Sequence, residues 1–428
     1  MSWALVLFFA GIGISVPIAF ALGFAGVAYI AVSGQASLSV VPTIMFGAMD
    51  SFPLLAIPFF IMAGDLMGRC GLLDRMIDFA KALVGPVRAG MAHVTIVSSM
   101  VFGGVTGVSL ADAAAVGRTL IPGMVREGYP RPFAAAVTAA ACVMGAIIPP
   151  SVAMLIIAYL YGGKLSVGRL FLSGVVPGIL IGLTQMAMVA VLAKRKNLPV
   201  STDPWSLKDI AGKFRRALLA LGMPVIIIGG IITGFFTPTE AGAVAVAYAL
   251  IVGSVTGVGY TWRGIADSLL VSAKLTGVIF VMLAASQLFS WLLIVNQVPQ
   301  QLTPWLQPVL ATPQAFLLTV TVVFIILGTV LEGVPTMIMV VPVVAPMAPV
   351  FGVEPHHLAL VMVMATQLAI LSPPVALALV IVCPIAGCTI SQATVEILPY
   401  AACIVAVILA VIFFPELAQA IPRWAGYG

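Results

Sequence analysis

The sequence predicts an all-α polytopic membrane protein made of two inverted repeats, each with a re-entrant helical hairpin and a transmembrane helix broken by a Pro-Pro pair. Three observations lead there. The composition is too apolar for a water-soluble globule, a set of Gly and Pro residues recurs at one fixed spacing, and two proline pairs stand inside apolar runs.

The composition sets the class. Of 428 residues, 62% are hydrophobic and only 8% charged, and the mean hydropathy is +1.21. A spanning helix takes about 20 apolar residues. Runs of that kind occur at Trp3 to Val32, Leu170 to Ala193, Ala217 to Phe236, Ala241 to Val258, Gly277 to Val298 and Ile397 to Phe414, with a further span at Pro53 to Gly68. A barrel is excluded, because its strands alternate in polarity over short segments. The opening Met1-Ser2-Trp3 has no positive flank and the run behind it no small-residue cleavage site, so it reads as a retained span. Cys70, Cys142, Cys383, Cys388 and Cys403 are odd in number and lack a CxxC pair, which predicts buried free thiols. The net charge of +5 gathers in short loops beside the spans, so it marks a cytoplasmic face and not nucleic-acid binding.

The densest basic stretch holds Lys194, Arg195, Lys196, Lys208, Lys213, Arg215 and Arg216, with Pro199, Asp203 and Pro204 among them, and it is placed in the cytoplasm. Arg69, Arg75, Lys81 and Arg88 surround an amphipathic segment, Leu72 to Val84, expected along the same interface. Ser37 to Ala48 is too short and polar to assign. Gly103 pairs with Gly328, Pro122 with Pro346, Pro149-Pro150 with Pro373-Pro374 and Gly163 with Gly387, at offsets of 225, 224, 224 and 224. So steady an offset reads as an internal repeat. Five crossings separate the equivalent spans if the segment around Val101 is re-entrant, and an odd step inverts the second repeat. Charge agrees: Arg88, Arg126 and Arg131 flank the first hairpin, while no Lys or Arg occurs between Lys274 and Arg423.

The chemistry lies at the breaks and at the hairpin tips. Proline in a helix removes a donor and clashes with the carbonyl four residues back. Pro149-Pro150 therefore disturbs Gly145 and Ala146, and Pro373-Pro374 disturbs Ala369 and Ile370, where lipid can satisfy neither. Carbonyl-lined cation sites are expected there, with the half-helix amino ends near Ser151 and Val375 free to face an anion; kinks satisfied by neighbouring hydroxyls or water are the competing reading. The tips are Gly103-Gly104-Val105-Thr106-Gly107-Val108-Ser109 and Gly328-Thr329-Val330-Leu331-Glu332-Gly333-Val334-Pro335-Thr336. Thr106, Ser109 and Thr336 supply neutral oxygens, which suit a hard monovalent cation such as sodium; tight helix packing is the other role for such small residues. Asp65, Asp112, Arg118, Glu240 and Glu332 stand in apolar segments and should face protein or water. Asp112 and Arg118 are expected in ion pairs more than in ligand contact, and Glu240 could instead cap a helix start.

An enzyme is not indicated. Neither an Asp pair nor a Ser-His or Ser-Lys dyad stands at a diagnostic spacing; His93 lacks an acidic or serine partner, and His356-His357 reads as a solvated interfacial pair. A channel does not need paired broken helices in opposite orientation. There is no GxxxxGK[ST] loop for direct ATP drive.

Nearly the full chain resembles the large membrane subunit of the tripartite ATP-independent periplasmic (TRAP) transporters, in the ion transporter superfamily. The residues that carry the likeness are Asp50-Ser51-Phe52-Pro53-Leu54-Leu55-Ala56-Ile57-Pro58-Phe59-Phe60, the hairpin from Phe102-Gly103-Gly104 to Gly117, Ile147-Ile148-Pro149-Pro150-Ser151, Phe236-Thr237-Pro238-Thr239-Glu240-Ala241 and Leu371-Ser372-Pro373-Pro374-Val375. The resemblance implies a sodium-driven elevator in a bacterial inner membrane. It also implies a small four-helix membrane partner, a soluble periplasmic protein that delivers a carboxylate solute, and no cofactor beyond sodium as coupling ion. Gly103, Thr106, Gly107 and Ser109 with the Gly145 to Ser151 break are implied as one sodium site. Gly328, Glu332, Thr336 and the Thr366 to Pro374 region, Ser372 and Pro373 included, are implied as the other. Thr106 and Val108 stand where the family often has serines. Residues 50–165 (hairpin about 90–123) and 277–390 (hairpin about 314–351) are expected to move against a scaffold of 1–49, 166–276 and 391–428. The alternatives are a stand-alone ion-coupled anion carrier of the same superfamily and, further off, an intramembrane hydrolase.

Overall fold

The computed structural model describes residues 2–200, 205–256, 261–329, 331–373 and 375–427. Pro374, Val330, Asp203 and Pro204 lie outside the described residues. Every regular element described is a helix. Six helices are long and apolar enough to cross a membrane, and the chain is a multi-pass membrane protein.

The amino-terminal run is not one span. It forms α1 (Ser2–Gly13) and α2 (Ile18–Ser33), because Ser15 adopts a left-handed conformation with φ 65° and Pro17 cannot donate to a continuing helix. The stretch left unassigned in the sequence becomes α3 (Val40–Met49). A short 3-10 turn at Phe52–Leu55 leads into α4 (Ala56–Arg69). The amphipathic segment is α5 (Leu72–Val84), with Leu72, Leu73, Met76, Ile77 and Ala80 buried on one face.

The first hairpin is α6 (Gly90–Thr106) and α7 (Ser109–Arg126). Its reversal needs Gly107, whose φ of 65° and close approach to the Pro150 carbonyl exclude a side chain. The first broken helix follows as α8 (Arg131–Cys142), a 3-10 turn at Val143–Ala146, and α9 (Val152–Leu160). Then come α10 (Val167–Arg195), α11 (Leu207–Ile232), α12 (Pro238–Thr256) and α13 (Trp262–Val295), with Ser166, Ser206 and Thr261 capping the amino ends of α10, α11 and α13. After α14 (Val298–Leu306), the second hairpin is α15 (Pro313–Gly328) and α16 (Gly333–Val344). The second broken helix is α17 (Pro355–Ala369) and α18 (Leu377–Ala386), and α19 (Ile390–Phe413) and α20 (Glu416–Trp424) close the chain.

These helices pack as two groups. In one, α13 packs on α2, α3 and α4, α12 on α4, and α11 on α5. In the other, α7 and α6 pack on α8, α18 on α7 and α8, α19 on α8 and α17, and α10 on α6, α17 and α19. A buried hydrogen bond from Gln185 on α10 to the Ala140 carbonyl (2.9 Å) and an ion pair from Lys196 to Glu396 (2.5 Å) tie the second group together. Where the groups meet, α5 and α4 pack on α6 and α13 packs on α16.

Candidate site between the two hairpin tips

The tip of the first hairpin is welded to the first break. The Gly107 amide donates to Gly103 (2.9 Å), and the Gly107 carbonyl accepts from the Val152 amide at the start of α9 (3.2 Å). Ser151 caps α9 by accepting from the Met154 amide (3.2 Å) and donates to the Ala146 carbonyl (2.6 Å).

Inside this junction lies the buried carboxylate of Asp112. It stands in the first turn of α7, where the helix dipole favours an acid, so its side chain turns back toward the tip. The Thr106 hydroxyl donates to Oδ1, while Oδ2 is buried with no hydrogen-bond partner. Two glycines leave room for that oxygen. A Cβ at Gly145 would fall 2.1 Å from Oδ2, and one at Gly103 would fall 2.5 Å from the Gly145 Cα. An orphaned carboxylate oxygen costs more than a neutral orphan, at about 1–3 kcal/mol or above. With the hydroxyl of Thr106 beside it, this donor set fits a hard monovalent cation.

The ion pair expected for Asp112 is therefore not formed. Its carboxylate meets the Thr106 hydroxyl of its own hairpin, and no ion pair to it is formed among the described residues. Arg118 also has no ion pair among the described residues. Asp65 belongs to the first group of helices, held by Arg69 (2.7 Å) and the Ser268 hydroxyl (2.5 Å). Glu240 caps its helix, accepting from the Thr237 amide (2.8 Å) and hydroxyl (2.9 Å).

The second tip differs. A Cβ at Gly328 would meet the Ala369 methyl at 2.5 Å, and one at Gly333 would meet the Thr366 methyl at 2.5 Å, so tip and break again pack closely. The hydroxyls of Thr336, Thr366 and Ser372 donate to the carbonyls of Glu332 (3.0 Å), Met362 (2.8 Å) and Leu368 (3.0 Å), each keeping lone pairs free. The carbonyls freed by the second break find partners in the chain: Ala369 accepts from Ser372 (3.0 Å) and Ile370 from Ala378 (3.2 Å). With Ser151 on Ala146, three of the four disturbed carbonyls are satisfied by the chain's own donors. At the repeat spacing Asp112 corresponds to Thr336, so the second tip carries a hydroxyl where the first carries a fully buried acid.

Between the tips lies a cavity of about 220 Å³. Its polar lining includes Ser109, Glu332, Thr366 and Gln367, and α13 closes one side with Leu275, Val278 and Met282. The amino ends of three helices open on it, through Ser109 and Leu110 of α7, Val152 and Ala153 of α9, and Gly333 and Val334 of α16. No Lys or Arg lines it, so the dipoles of the three helices are the source of positive potential on it. Val375 and α18 do not reach this cavity; Ala376 takes a left-handed turn with φ 47°, and the half-helix begins beyond it.

Gln367 joins the two repeats, accepting the Ser109 hydroxyl at 2.7 Å across the cavity wall. The sequence reading covers it only within the Thr366 to Pro374 region, with no role of its own. Its signal was a lone amide in the apolar run of α17, a polar group expected to find a partner across helices. His356 and His357 are also not a solvated pair. Both are buried: His356 accepts the Ser166 amide at Nε2 (3.1 Å), which leaves the Nδ1 proton for Glu354 (2.8 Å), while His357 meets the Val411 carbonyl (2.9 Å). The packing of α17 against α10 and α19 encloses them.

Comparison with known proteins places this architecture. Residues 5–417 match the family described as the tripartite ATP-independent periplasmic transporter, DctM component. The C4-dicarboxylate TRAP transporter large permease protein DctM of Pseudomonas aeruginosa is 35% identical over 410 residues, covering 95% of this chain and 94% of that one. The sialic acid TRAP transporter large permease protein SiaM of Vibrio cholerae is 33% identical over 428 residues, covering 99% and 97%. Among solved structures, the YdaH transporter of Alcanivorax borkumensis shares the fold with a TM-score of 0.58 at 14% identity, covering 91% of this chain and 89% of that one. The chain belongs to the DctM family of TRAP large permease proteins, and is a transporter subunit, not an enzyme.

Proposed function

We propose that this chain is the permease of a sodium-coupled importer for a carboxylate-bearing organic solute, working by an elevator movement in a bacterial inner membrane. The observation that carries the proposal is the pairing of an orphaned buried carboxylate at the first tip with a cavity ringed by three helix amino ends. An organic carboxylate suits those N–H groups, and sodium suits the oxygens of Asp112, Thr106 and the Gly103–Gly145 junction. At the second tip Glu332, Thr336 and Thr366 offer oxygens to a second sodium. Sodium would offset the charge of Asp112 and of the solute, which lowers the cost of carrying both through an apolar environment. The relatives named for C4-dicarboxylate and sialic acid support an organic acid as cargo. Membership of the family supports a small membrane subunit and a periplasmic binding protein as partners.

In this reading the moving body comprises α6–α10 and α15–α20, and the frame comprises α1–α5 and α11–α14. That division departs from the one drawn from the repeats. It transfers α10 and α19 to the moving body, because both pack on the broken helices, and α20 with them, because it packs on α10, and it leaves α4, α5, α14 and all of α13 with the frame. Paired inverted hairpins are the architecture that alternating access uses.

The test is uptake of radiolabelled succinate and sialic acid into proteoliposomes that hold this chain and its small partner, with and without a sodium gradient and a binding protein. Uptake that requires both upholds the proposal. Sodium-dependent uptake without the binding protein would make the chain a stand-alone carrier, and uptake indifferent to sodium would refute the coupling.

A further inference from the structure

A second cavity, of about 400 Å³, adjoins the first and shares Ile61, Val108 and Leu275 with it. It runs along α7 away from the tip, between Thr119 and Arg118 on one side and Asp65 and Arg69 of α4 on the other. Arg118 lies nine residues beyond Ser109, roughly 14 Å along the helix at a rise of about 1.5 Å per residue. Its side chain is exposed to this cavity and has no ion pair among the described residues. The carboxylate that could neutralise it is taken, since Asp65 is held by Arg69 (2.7 Å) and the Ser268 hydroxyl (2.5 Å), and Arg69 also approaches Asp267 (3.9 Å). An uncompensated guanidinium within an otherwise apolar span calls for a ligand or water, and its planar fork matches a carboxylate.

We propose that Arg118 forms a second anion subsite in this adjoining cavity, which receives the solute's carboxylate after it has passed Val108 on the way to the cytoplasm. Val108, extended at the head of the hairpin, borders both chambers and separates the helix amino ends of the first from the charge of the second. The central cavity binds its anion without a cationic side chain, so the adjoining arginine offers a competing, more hydrated place to rest. That draws the solute out of the central cavity and makes the inner face sensitive to accumulated product. The basic ends Arg88, Arg126 and Arg131 mark this end of the hairpin as the cytoplasmic one. The inference rests on the carrier reading above.

The experiment is sodium-driven succinate uptake, with sialic acid as second probe, into proteoliposomes that hold the chain with its small partner, are supplied with a binding protein and are preloaded with increasing unlabelled acid, comparing wild type with R118Q and R118K. Loss of a charge-assisted contact should raise the internal concentration for half-inhibition about tenfold or more in R118Q. The external half-saturation concentration should move less, and R118K should fall between wild type and R118Q. Thermal unfolding of each variant separates a lost subsite from a lost fold. An unchanged internal half-inhibition in a folded R118Q, or an equal change on both faces, overturns the subsite. Wild-type uptake that neither saturates nor responds to sodium would refute the carrier reading itself, and the subsite with it.

Discussion

Replacing Gly145 by Ala is the sharpest perturbation available at the first tip. The added methyl would sit 2.1 Å from Asp112 Oδ2, and the backbone of Gly103 closes the other side, its own Cβ position lying 2.5 Å from the Gly145 Cα. Contacts under about 3.0 Å are not sustained, so the carboxylate or a helix must move by roughly 1 Å, and such overpacking costs about 1–3 kcal/mol. Asp112 is tied to Thr106 and fully enclosed, so the cost falls on the arrangement that would hold the ion. Expressed as affinity, that is a weakening of about 5-fold to 150-fold. The assay is the sodium concentration for half-maximal uptake, with the thermal unfolding midpoint measured in the same preparation. Gly123→Ala, on the same hairpin but with its nearest neighbour a flexible Met91 methyl at 3.4 Å, is the matched control. A Gly145→Ala protein whose sodium dependence and unfolding both match the control would refute the assignment of this junction as an ion site.

One further prediction concerns the same junction and another the start of α17. Thr106→Val removes the one hydroxyl that donates to Asp112, and should weaken sodium activation by about tenfold, whereas Thr106→Ser should keep it within about twofold; half-saturation curves for the pair decide. At the end of α10 away from the basic loop, burial opposes ionisation of Glu354, but hydrogen bonds from the His356 side chain and the His357 amide outweigh it and hold the carboxyl at about 2. A value depressed in the folded state stabilises above the ordinary carboxyl range and is lost on acidification. The unfolding midpoint of wild type should therefore exceed that of Glu354→Gln at pH 6, with the gap narrowing below about pH 4.5.

Much of this architecture was legible in the residues, because membrane spans, caps and breaks leave local marks. The repeat spacing located both hairpins and both breaks, and the amphipathic segment Leu72 to Val84 coincides with α5. What escaped was non-local. The split of the first apolar run turns on Ser15, whose left-handed backbone no propensity announces. Asp112 was visible as a costly charge, but its partner depends on the side chain folding back one turn to Thr106. Gln367 meets Ser109 across 258 residues, a contact that spacing within either repeat could not reveal. The grouping of α10 and α19 with the broken helices was equally hidden, since apolar runs look alike whichever body they face.

The central claim, that one group of helices slides against the other, is tested most directly by cross-linking with a transport readout. In a chain otherwise free of cysteine, Ala115→Cys on α7 and Val271→Cys on α13 line the same inter-group cavity, and Lys196→Cys with Glu396→Cys lies within the proposed moving body. The account predicts that a bifunctional thiol cross-linker spanning the first pair abolishes sodium-driven uptake and that the same reagent across the second leaves it intact. Full uptake by a protein locked at Ala115 and Val271 would contradict it.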